Sequence, residues 1–158
     1  MSNNEPAISL HGGPTARIPL ASPPELWNPT ASGCWSLIFT PLFGAYLHMK
    51  NWQTLAEPEL AEKSRKWGVS SAFFLIALVL SAALVPESNG LDAFFRFSGI
   101  ALIVSWYYAI GKSQQTYVNA RYGESYIRRG WKKPLLVALF GLAIFFLVIF
   151  GVAFVSNS

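Results

Sequence analysis

The sequence predicts an all-α integral membrane protein, a small helical bundle of four spans, and three observations predict it. Hydrophobic residues make up 53% of the chain and charged ones 13%, against about 25% charged in a soluble domain. The apolar residues are gathered into runs long enough to cross a bilayer, at about 29–49, 68–85, 91–111 and 134–155. The charges sit in the polar stretches between those runs. A net charge of +4 therefore reads as a topological signal rather than as a nucleic-acid footprint. With 158 residues the chain has room for one compact unit, residues 27–158, and a tail, residues 1–26.

The tail carries Pro6, Pro14, Pro19, Pro23 and Pro24 with few large apolar groups, a composition that predicts disorder. It lacks a basic region followed by an apolar one, so it does not read as a cleaved signal peptide. Asn28-Pro29 then reads as a helix start, with Asn as cap and Pro at the first helical position. On a helix from there, Ser32, Ser36, Thr40, Gly44 and His48 fall four apart and form one small, polar stripe. Such a stripe lets a second helix approach closely, as a packing face or a partner face. Pro41 cannot donate to the helical ladder and kinks or breaks it, and the hydroxyls of Ser36 and Thr40 lie near the freed backbone. The alternative to four spans is three, with 29–49 re-entrant or interfacial. Cys34, the one cysteine, excludes an intrachain disulfide and reads as a small packing residue.

Pro58 starts the next helix, with Glu59–Lys63 and Glu62–Lys66 as ion pairs in the favourable acid-first order. The helix runs into an apolar stretch that ends at Val85, with Gly68 and Ala72, then Ala77 and Ser81, at packing spacings. The turn PESNG leads to a third span. There Arg96 reads as an interfacial anchor paired with Asp92, and Trp106, Tyr107 and Tyr108 form an aromatic belt at the other end. The segment 112–133 is basic and aromatic, with Arg121, Arg128, Arg129, Trp131, Lys132 and Lys133 placed to meet anionic lipid headgroups. Pro134 opens the last span, uncharged to Val155.

Basic residues crowd 50–67 and 112–133 and avoid the turn at 86–90. The positive-inside rule puts both basic loops in the cytoplasm and the C-terminus in the periplasm. The N-terminus is outside if 29–49 spans and inside if it does not. Catalytic and ligand motifs do not emerge: His11 and His48 lie far apart, and no His, Cys, Asp or Glu group has metal spacing. No cofactor is expected, and no nucleic-acid partner.

The run W-N-P-T-A, then W-S-L-I-F-T-P-L-F-G-A-Y-L-H and N-W, with the later Y-I-R-R-G-W-K-K-P-L, resembles small bacterial inner-membrane proteins of unassigned activity. More weakly, it is similar to bacterial families with an aromatic-Phe-Pro-aromatic segment before their first span. The resemblance covers about Trp27 to Leu136, implies a bacterial inner-membrane location and transfers no site residues. Two functional expectations follow. One is a non-enzymatic membrane protein that binds another protein, in concrete form an immunity protein against a membrane-active toxin encoded nearby. The other is a small channel or transporter component built around the segment broken at Pro41.

Overall fold

Asn28 caps the first helix as its composition suggests: its Oδ1 accepts from the backbone N–H groups of Thr30 and Ala31 at 2.9 and 3.2 Å. A computed structural model describes residues 22–85 and 88–156. In order these form strand β1 (Glu25–Leu26) and helices α1 (Pro29–Thr54), α2 (Pro58–Leu84) and α3 (Asn89–Trp106). A π-helical turn (Tyr107–Gly111) leads into α4 (Lys112–Arg121), followed by strand β2 (Ile127–Arg128) and helix α5 (Lys132–Ser156). The chain is all-α apart from one two-residue parallel pairing.

Three stretches are long and apolar enough to cross a membrane: Pro58–Ala82, Gly90–Arg121 and Lys132–Gly151. The 29–49 segment is not among them, because α1 folds back on itself at Thr40. On a continuous helix Trp27 and Asn51 would stand about 36 Å apart. Instead the Trp27 N–H donates to Asn51 Oδ1 at 3.0 Å. Thr40 has φ 77° and ψ 159°, a region costly for a β-branched residue. Pro41 enforces the extended ψ on the residue before it and then starts the returning arm. Each arm, about 11–14 residues, is roughly 16–21 Å long, short of the roughly 30 Å hydrocarbon core. The expected first span is thus a hairpin with arms too short to cross, which leaves three helices of crossing length.

The hairpin packs through its own small residues. A Cβ added at Gly44 would lie 2.0 Å from Ser36 Oγ and 2.4 Å from a ring carbon of Trp106. Arm two then meets α2 along Ala61, Ser64, Gly68 and Ser71, all buried. This face replaces the expected Gly68–Ala72 and Ala77–Ser81 spacings: 61, 64, 68 and 71 follow the helical turn, whereas steps of four drift around it. At Gly68 the approach is close, with Ala45 Cβ 3.5 Å from an added Cβ.

Trp106, Ile110, Gln114 and Val118 are also four apart, yet all are at most 2% exposed. Four residues overshoot an ideal turn by about 40°. The wider π turn between them absorbs the drift and keeps all four facing inward. One core gathers Ala45, Trp106 and Ile110 beside the hairpin. A second, Leu26, Val118 and Tyr126, lies under the paired strands.

Those strands correct the tail. Residues 1–21, with the disorder expected there, lie outside the described residues, as do His11 and Arg17. Residues 22–26 are described, and Glu25 and Leu26 pair with Ile127 and Arg128. Trp27 Nε1 also donates to the Gly130 carbonyl at 3.1 Å. The start of the domain and the basic 112–133 segment therefore lie at one end of the bundle. All three expected ion pairs differ as well, and Glu59 and Lys63 form none among the described residues. Glu62 binds Arg65 at 2.7 Å rather than Lys66, and Asp92 and Arg96 form no ion pair among the described residues. Part of the expected PESNG turn, residues 86 and 87, is outside the described residues, and Asn89 and Gly90 already begin α3.

Gly44→Ala should lower stability by about 1–3 kcal/mol through overpacking. Gly141→Ala, where an added Cβ meets nothing within 4 Å, should be neutral or slightly stabilising. Thermal unfolding of both variants in detergent checks the contrast; equal midpoints would contradict the self-packed hairpin.

Candidate functional site: the closed hairpin and its basic rim

The mouth of the hairpin is closed by one side-chain amide. Asn51 Oδ1 accepts from Trp27 N–H, while its Nδ2 donates to the Trp27 carbonyl at 2.8 Å and to Gln114 Oε1 at 3.0 Å. Gln114 Nε2 in turn donates to the His48 carbonyl at 2.9 Å. Both amides are fully buried, so these bonds form where unpaired groups would be costly. Three elements, the segment before α1, the returning arm and α4, are thereby tied at one point.

Of the stripe, Ser32, Ser36, Gly44 and His48 are buried and Thr40 is partly exposed at the tip. Ser36 Oγ donates to the Ser32 carbonyl at 2.7 Å, one turn back rather than to the broken ladder. The stripe is filled from within the chain: Ser36 faces Gly44, and His48 stands edge-on to Trp106 with ring centroids 5.4 Å apart. Both ring nitrogens of His48 and Nε1 of Trp106 are buried without a hydrogen-bond partner. Burial pushes the His48 pKa down from 6.5 to about 4, opposed by the nearby Pro29 carbonyl. His48 is neutral at physiological pH.

The basic rim divides in two. Arg121 donates to Tyr117 Oη at 3.1 Å, Arg128 pairs with Glu124, and Arg129 stacks 4.8 Å over the Trp27 ring while approaching Glu25 at 3.8 Å. Trp131 stands 6.4 Å from Trp35, continuing through Phe39 and Phe43 as an aromatic ladder down to the tip. Lys132 and Lys133 are exposed and form no ion pair among the described residues. Cys34 is an exposed thiol, not the buried packing residue expected. No group of three His, Cys, Asp or Glu side chains is arranged to hold a metal among the described residues.

Sequence reasoning missed Trp27, Asn51, Gln114 and Trp106 as a connected set. The signal for Asn51 lies in symmetry about Thr40, since Asn51 is as far after it as Pro29 is before it; Trp106 and Gln114 carry no such local signal. Comparisons with protein-family models, with curated proteins and with solved structures give no match for this chain.

Asn51→Leu would leave Trp27 N–H, the Trp27 carbonyl and Gln114 Oε1 without their partner, at a cost of about 2–4 kcal/mol. For His48 the folded pKa lies below the unfolded one, so the unfolded chain binds the extra proton. Stability should be full above pH 6.5 and fall by about 3 kcal/mol as the pH drops towards 4. Unfolding midpoints across that range should lose their slope in His48→Gln. A slope that survives would place the proton elsewhere.

Proposed function

We propose that this chain is a non-enzymatic, multi-pass protein of a bacterial inner membrane that acts by binding another protein within the bilayer. The observation that carries the reading is the rigid hairpin of half-membrane depth, with Leu37, Ile38 and Leu42 exposed around its tip. A hairpin that stops midway leaves room beneath its tip, and a membrane-inserted partner can fill that room. The stripe of small residues is used internally, so the partner face is the outer surface of the tip.

Of the twelve Lys and Arg residues, all but Arg17 and Arg96 fall in the 50–66 and 112–133 stretches, which Asn51 and Gln114 join at the hairpin mouth. The positive-inside rule makes that end cytoplasmic. Three crossings then put the C-terminus in the periplasm and Trp27 in the cytoplasm. Exposed Lys132 and Lys133 hold the rim to anionic headgroups. A membrane-active toxin encoded nearby is the concrete partner, and this protein is its immunity factor.

The broken helix also favours a second reading, a channel or transporter component, since such breaks often line sites at the membrane midplane. Against it, the hairpin axis is filled by Ser36, His48 and Trp106.

A photo-crosslinking residue at Ile38 should capture a membrane protein whose expression harms cells lacking this chain. Cells should remain protected by Cys34→Ser and by His11→Ala. Loss of protection in either, or ion flux through liposomes holding the purified chain alone, would overturn the binding reading. Reporter fusions at Gly123 and Ser158 should report cytoplasm and periplasm respectively, and the reverse result would overturn the orientation.

A further inference from the structure

We propose that the groove between the first arm of the hairpin and α3 is a binding site for one phospholipid of anionic headgroup. It rests on the membrane reading above. The groove is open along one side and holds about 270 Å³. That is space for on the order of nine methylene-sized groups if each takes about the ~30 Å³ of a water molecule. Gly33, Cys34 and Leu37 form one wall, and Ile103, Trp106 and Tyr107 the other. The π turn carries Tyr107 and Gly111 on that second wall, and such turns recur at functional sites.

The occupant is argued from polarity along the groove. Thr30 and Gln115 sit at the hairpin-mouth end, where Gln115 Nε2 donates to Thr30 Oγ1 at 2.9 Å and Tyr107 Oη reaches Gln115 Oε1 at 3.4 Å. From Thr30 to Leu37 the arm descends about 10 Å, and from Gln115 to Ile103 its neighbour descends about 18 Å. The groove is polar at the membrane surface and apolar at depth, the same order as a lipid entering from that leaflet. Lys112 follows Gly111 of the wall, stacks 5.8 Å from the Tyr108 ring and has no carboxylate partner among the described residues. It stands beside the groove rather than in its lining, and from there its charge selects an anionic headgroup.

An acyl chain gains little by leaving other acyl chains, so retention comes from shape and from the headgroup contacts. The open position at Gly33 is what admits the chain: an added Cβ there meets nothing within 4 Å. A larger side chain fills the groove without disturbing the fold.

Cys34 is the sole cysteine, is exposed and lines the groove, so its alkylation rate reports occupancy. The experiment measures maleimide labelling of delipidated protein in detergent, with dioleoyl-phosphatidylglycerol or dioleoyl-phosphatidylcholine added, alongside native mass spectrometry. Phosphatidylglycerol should slow labelling several-fold and leave one retained lipid per chain, with phosphatidylcholine much weaker. Gly33→Phe, with Ile103→Trp as a second plug on the opposite wall, should abolish both effects at unchanged unfolding temperature. Lys112→Gln should erase the headgroup preference. No slowing, equal slowing in both plugged variants, or equal protection by glycerol phosphate without a chain would overturn the proposal. Carbonate extraction separates the failures: a chain released from membranes refutes the membrane reading, and a retained chain without lipid refutes this site alone.

Discussion

The interaction on which the rest depends is the threefold use of the Asn51 amide. A hairpin broken at a strained threonine has no reason of its own to stay closed. Its arms carry small side chains, which allow close approach but bury little surface. Asn51 closes the mouth by taking both backbone groups of Trp27, and Gln114 locks that pair to α4. In a low-dielectric interior each of these bonds is strong, and each lost partner is expensive. The strain at Thr40 and the closure at Asn51 are two ends of one device, with Ser36 and Gly44 in contact between them.

Much of the architecture was legible in local chemistry. The Asn28 cap, the Pro58 start and the uncharged last helix follow from residue type and run length. Three helices of membrane-crossing length and composition match the class predicted. The hairpin was only half legible. Pro41 announced a break, yet reading the stripe as one helix face assumed a straight axis. Folding at Thr40 keeps the spacing of four and changes its meaning, because Ser36 then meets Gly44 instead of pointing beside it. The polar set was hidden for a related reason. Asn51 and Gln114 are 63 residues apart, and nothing in the periodicity of either segment points to the other. Likewise Glu62 had two bases within reach on the same helix, and spacing alone did not choose Arg65.

The bundle is uneven in how tightly it is held. Helix α5 exposes Leu136, Val137, Phe140, Leu147 and Phe150 and buries only Pro134 among its described side chains. Its start is held where Trp131 meets Trp35 and Gly130 holds Trp27. By contrast, the short strands, Tyr126 and Val118 form a small core at the polar end, so this end does not rely on lipid for its order. Apolar surface that is left outward along α5 and the hairpin tip is stable only where the solvent is itself apolar.

The π turn works as stored slack. Its wider winding lets Trp106 and Gln114, eight residues apart, face the same way. Eight residues of plain α-helix would overshoot that alignment by about 80°, whereas seven would fall only about 20° short of it. Losing one residue from Tyr107–Gly111 would therefore straighten the turn into ordinary helix and leave Gln114 facing Asn51 and Val118 facing the strand core. Gaining one has no such outlet: it would turn α4 by about 100° and open the hairpin mouth without any change in the residues that close it. The segment is free to shorten by one but not to lengthen.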